Sequence, residues 1–118
     1  MPEPVTRERF EELAAEAIDG LPTWVLDTMS NVEVLIEDLP PPDQRNLLGL
    51  YHGIPLSQRG HWYGNVLPDT ITLYRATIMA VAGHDEDRVR AQVARTVAHE
   101  VAHHFGISDD RLRELDAY

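Results

Sequence analysis

The 118-residue chain contains neither cysteine nor lysine. Without cysteine there is no disulfide framework, no thiolate metal site and no thiol nucleophile. Any metal must therefore sit on His, Asp or Glu. The ten basic residues are all arginine, and twenty Asp and Glu leave a formal net charge of −10. That balance argues against non-specific nucleic-acid binding and against an anionic membrane surface, since both need phosphate charge neutralised by clustered Lys and Arg. It points instead to a neutral or basic partner. No stretch approaches the roughly 18 apolar residues of a membrane span. The opening Met1-Pro-Glu-Pro-Val-Thr6 has neither the basic start nor the apolar run of a secretory signal. The expectation is a cytoplasmic protein, monomeric by default.

What is present suffices for one core. The 43% hydrophobic content supports one domain over residues 1–118, with 1–5 as a flexible tail. Thr6 reads as the N-cap of a helix carrying Phe10, Leu13, Ala14, Ala17 and Ile18 at helical spacing, closed by Gly20 and Pro22. A short helix from about Thr23 to Met29 follows, with Trp24 assigned to the core. Val32 to Asp38 alternates as a strand. Pro40-Pro-Pro42 marks a stiff loop. Leu47 to Tyr51 is a second strand, and Ser57 to Pro68, with His61-Trp-Tyr-Gly64 at its centre, reads as a long loop in which Trp62 and Tyr63 pack. Asp69 to Arg75 alternates as a third strand, and Thr77 to Ala82 is a short helix or a connection.

The strongest pattern opens at Gly83-His-Asp-Glu-Asp87. Acidic residues in the first turn suit the positive end of a helix dipole, and Arg88, Arg90 and Arg95 follow at pairing distance. Val89, Val93, Val97 and Val101 form a stripe that should face the sheet. Gly106 stops this helix, and Ser108 caps a terminal one with Leu112 and Leu115 inward.

Near the end of the long helix stands His99-Glu-Val-Ala-His-His-Phe-Gly-Ile-Ser-Asp109. Four helical residues turn the chain by about 400°, so His99 and His103 lie about 40° apart and roughly 6 Å along the axis. Both imidazoles can hold one ion. Glu100 lies about 60° around from His103, beside that ion, where it can take a proton from a metal-activated water. Zinc suits two imidazoles and one carboxylate. The third ligand must be near, because fifteen residues follow His103. Gly106 can reverse the chain and bring back Asp109, or Asp110 beside it. A bare H-E-x-x-H match is expected by chance at about 2% for this composition, and the pattern extended to Gly106 and Asp109 at about one in ten thousand.

The extended motif resembles that of the minimal zincin, or zincin-like metallopeptidase, family of bacterial proteins. The resemblance includes Leu47-Leu-Gly-Leu-Tyr-His-Gly53, Leu67-Pro-Asp-Thr-Ile-Thr-Leu-Tyr-Arg75, the acidic opening of the long helix and the His103-His-Phe-Gly106 ending. It covers roughly residues 5 to 118. It implies an α+β fold with a small mixed sheet packed on an active-site helix, flanked by N-terminal and short C-terminal helices. It also implies zinc on His99, His103 and Asp109, and Glu100 as general base in hydrolysis of a peptide or protein substrate. Thr70 to Tyr74 is the expected sheet edge for an extended substrate, and Tyr63, His61 and Tyr74 are candidates to stabilise the oxyanion.

Plainer readings exist for the same residues. His99, Glu100 and His103 can form a polar patch at a helix end, where imidazolium suits the dipole. Asp109 can be a capping residue, and His104 reads as a helix-end or supporting residue. His52, His61 and His84 carry no assigned role. The functional alternatives are a catalytically weak zincin-fold protein that binds metal or peptide as a regulator, and an interaction domain in which the motif is incidental.

Overall fold

The structure, a computed structural model, describes residues 4–53 and 68–114. Helix α1 (Arg7–Asp19) starts where Thr6 accepts a hydrogen bond from the Arg9 N–H, and it buries Phe10, Leu13, Ala14 and Ala17. Helix α2 (Thr23–Thr28) is one short turn that contributes Val25 to the core. Strands β1 (Val32–Glu37), β2 (Gly49–His52) and β3 (Asp69–Tyr74) form one sheet. Helix α3 (Arg75–Ala82) follows β3 directly, which resolves the Thr77–Ala82 segment as helical. Helix α4 (Glu86–His104) and the short α5 (Asp109–Glu114) complete the fold.

The sheet order is β1-β3-β2, with β1 parallel and β2 antiparallel to β3. This is the small mixed sheet of the expected α+β class. β3 is therefore the central strand, which corrects its assignment as the substrate-pairing edge. Its outer neighbours hold Thr70 to Tyr74 on both sides, and the edges are β1 and β2. The short β2 alternates in burial as β1 does, but it is poorly marked in sequence because its buried position is Gly49 while Leu50 is exposed; in β1, Val32, Val34 and Ile36 turn towards the core.

α4 is the centre of the packing and touches α1, α2, α3, β2 and β3. Its Val89, Val93, Val97 and Val101 are fully buried, so the predicted stripe faces a core shared with the helices as well as the sheet. The first turn is fastened from two directions. Asp85 accepts a hydrogen bond from the Arg88 N–H at 3.1 Å, and Arg9 on α1 grips Glu86 with two hydrogen bonds of 2.8 Å. Arg90 extends the network to Asp87, Glu16 and Glu86. Val5 is buried, and its N–H donates to His84 Nδ1 at 3.0 Å.

Gly49 lets β2 approach α4. A Cβ there would lie 2.7 Å from Thr96 Cγ2 and 3.2 Å from the Thr72 carbonyl oxygen, closer than side chains tolerate. Trp24 packs against the core from its edge. The inward placement of Leu112 and Leu115, and the loop at 57–67, lie outside the described residues.

Candidate functional site

α4 ends as its sequence requires. Gly106 has φ of 76°, the Ile107 N–H donates to the Ala102 carbonyl at 2.7 Å, and the Gly106 N–H donates to the His103 carbonyl at 3.3 Å. This pair of bonds satisfies the last turn and reverses the chain immediately after the two histidines. Ser108 then caps α5 by accepting from the Arg111 N–H at 3.2 Å. Asp109 thus begins a new helix just beyond the reversal. Its side chain lies outside those described, and the side chain of Asp110 is exposed.

His99, Glu100 and His103 line one groove of about 260 Å³ between α4 and the chain entering β2. The two imidazole centroids are 5.8 Å apart and their planes are tilted by 57°. An ion about 2.0–2.1 Å from one nitrogen of each ring would lie about 3.2 Å from each centroid, so a tetrahedral angle would separate the centroids by about 5 Å. A small rotation of the side chains closes that gap. The donor set therefore suits zinc. Among the described residues, no group of three His, Asp or Glu side chains is assembled for metal binding. Glu100 is engaged elsewhere.

Glu100 Oε1 accepts a hydrogen bond of 2.9 Å from the Tyr51 backbone N–H. The reason lies in strand register. The Tyr74 N–H donates inward to the Leu48 carbonyl, so in this antiparallel pair alternate residues of β2 bond to β3 while Gly49 and Tyr51 turn theirs outward. Glu100 meets that outer edge. Tyr51 is held in turn, since its hydroxyl donates to Asp69 at 2.6 Å and its ring stacks on His104 at 3.9 Å with the planes 17° apart. His104 is thus a supporting residue. A Cβ on Gly53 would come within 3.0 Å of the His104 ring.

The contacts step along both elements together: Gly49 against Thr96, Tyr51 against Glu100, Gly53 against His104. Two strand residues advance about 6.6 Å and four helical residues about 6 Å, so β2 and α4 stay in step. Upstream of Gly49 the groove continues between Asn46–Leu48 and the next helical turn, where it is lined by Gln92 and Arg95.

Sequence reasoning did not find Tyr51, Asp69 or Arg95. Nothing local marks Tyr51 or Asp69, because their roles arise from sheet register. Arg95 reads in sequence as a partner for the acidic first turn, but it forms no ion pair among the described residues, unlike Arg90. Of the oxyanion candidates, Tyr74 is buried at the end of β3 and is absent from the groove lining. Burial raises its hydroxyl pKa, and the charges of Glu37 and Glu100 add to the effect. Tyr63 and His61 lie outside the described residues. His52 is exposed.

The sequence pattern of the zincin-like metallopeptidase family matches residues 29–118. The match spans most of the chain and includes β1 to α5, so the protein belongs to the zincin-like metallopeptidase family. Among solved structures, a conserved hypothetical protein from the bacterium T. thermophilus is similar, with 30% identity and a TM-score of 0.58. That likeness covers 86% of this chain and 94% of the other. No protein with a curated description matches significantly. No helix among the described residues is long and apolar enough to cross a membrane.

Proposed function

We propose that the protein is a zinc-dependent peptidase, with His99, His103 and Asp109 as metal ligands and Glu100 as general base. The observation that carries this reading is the convergence of His99, Glu100 and His103 on one groove beside a sheet edge with outward-facing backbone groups. Family membership adds to it. Zinc bound there would supply a Lewis acid that polarises a peptide carbonyl and makes water a better nucleophile at neutral pH.

The chain's own residues do the rest. The outer edge of β2, at Gly49 and Leu47, pairs with an extended peptide and lays its backbone along α4. Tyr51, anchored by Asp69 and His104, fixes one oxygen of Glu100. The carboxylate takes the proton of the attacking water and delivers it to the leaving amine. The net charge of −10 fits a peptide rather than a nucleic-acid substrate.

The test joins metal analysis of untagged protein to digestion of a broad peptide library. Stoichiometric zinc and cleavage are expected in the wild type. Glu100→Ala should keep the metal and lose about 10²–10⁴-fold in rate. Cleavage that survives Glu100→Ala refutes the assignment of the base. Zinc with no cleavage by the wild type leaves a metal- and peptide-binding regulator in its place.

A further inference from the structure

Ten arginines are set in a strongly acidic protein, and most of those described are tied to carboxylates. Arg7 meets Glu11 and Asp38, Arg9 meets Glu86, Arg75 meets Asp38, Arg90 meets Asp87, and Arg111 meets Glu114. Arg45, Arg88 and Arg95 form no ion pair among the described residues, and of these only Arg95 lines the groove. It stands one helical turn before His99 and two before His103. The centre of the histidine pair is about 9 Å from it along the helix axis, the length of two to three residues of extended peptide.

The geometry points to Arg95 as the specificity-determining residue of the groove, a receptor for one carboxylate carried two or three residues from the scissile bond of the peptide. The inference rests on the groove being a peptide site. The carboxylate is either an Asp or Glu side chain or the free C-terminus of the peptide, since a guanidinium recognises both through the same pair of N–H donors. The protein's overall charge restricts the preference to a single, local acid. At physiological ionic strength the field of the distant carboxylates is screened beyond about 8 Å, whereas a contact with Arg95 is not. A peptide acidic along its whole length is repelled, and a neutral or basic peptide with one well-placed acid is favoured.

The test measures binding, so that it does not depend on turnover. Fluorescein-labelled decapeptides of neutral sequence, each with one Asp at a scanned position or with Asn in its place, are titrated against zinc-supplemented Glu100→Gln protein by fluorescence anisotropy. Each is made with a free and with an amidated C-terminus. Asp at one favoured position, or a free C-terminus on peptides ending there, should strengthen binding about threefold to fivefold, as for a partly exposed ion pair. Adding Arg95→Glu should turn that ratio below one. Adding Arg88→Glu, the same charge change on the same helix outside the groove, should leave it in place. A ratio of one at every position and terminus overturns the inference while the peptide reading stands, as does a ratio that survives Arg95→Glu or falls equally with Arg88→Glu. Failure of every peptide to bind overturns both readings. Circular dichroism of each variant separates these outcomes from misfolding.

Discussion

In the first half of α4 charge meets charge: Asp85 caps the helix, Arg9 clasps Glu86, and Arg90 bridges Asp87, Glu16 and Glu86. In the second half, from Arg95 onwards, Arg95, His99, Glu100 and His103 turn to a groove. One buried valine stripe runs beneath both halves and keeps them on a single rigid axis. A small domain can carry a polar groove in this way. The end of the helix that is fastened by its neighbours holds in position the end that lines the groove.

If the two halves are distinct, changes in the fastened half and in the groove have different consequences. The largest effect is expected from Phe10→Ala on α1, where a fully buried ring is removed from the face that meets α4. Chemical denaturation should show a loss of about 3–5 kcal/mol. His103→Ala should do the reverse. Its exposed imidazole contributes little to packing, so stability without metal stays near wild type while zinc affinity falls by about a hundredfold or more in competition with a chelating dye. Comparable loss of fold in both variants would erase the distinction between the halves.

Gly49→Ala probes the boundary between them. The new methyl group meets Thr96 Cγ2 and the Thr72 carbonyl, and a destabilisation of about 1–3 kcal/mol is expected from thermal or denaturant unfolding. Thr96→Ser removes the clashing methyl group and keeps the hydroxyl that accepts a hydrogen bond from Gln92. It should restore part of the loss, while no rescue would mean that the clash with the strand backbone dominates. The smallest effect belongs to Glu86. The hydrogen bonds from Arg9, followed by the attraction of Arg9 and Arg90, hold its carboxyl below the ordinary value of 4.5. A depressed carboxylate stabilises the fold above its unfolded pKa, and that contribution is lost as the pH falls below about 4.5 towards the folded value. Glu86→Gln should therefore flatten the acid limb of the melting temperature against pH and leave the neutral-to-basic limb parallel to wild type.

The two halves also differ in how far sequence revealed them. Helix α4 could be read nearly to the residue, because its acidic opening, its valine period and its glycine stop are local signals, although Asp85, read as part of the first turn, is the N-cap. His99, Glu100 and His103 came with it, since helical spacing alone sets them side by side. The groove could not be read in this way. Its other wall is β2, whose place beside β3 depends on contacts about twenty residues apart in the chain, and an alternating β3 looks equally suited to a centre or an edge. Arg95 was obscured for a related reason. Helical spacing lists the charges an arginine can reach, whereas only the fold decides that it faces the groove.

The matched stepping of β2 and α4 makes the site intolerant of slippage. One residue inserted between Gly49 and Gly53 would exchange the inner and outer sides of the strand, turn the Tyr51 N–H towards β3 and release Glu100. An insertion in the connection before Gly49 would leave that phase untouched. Added length is therefore best accommodated in the connecting segments, where it can lengthen or reshape the distal part of the groove around Arg95 while the spacing of Glu100, strand edge and histidines is preserved.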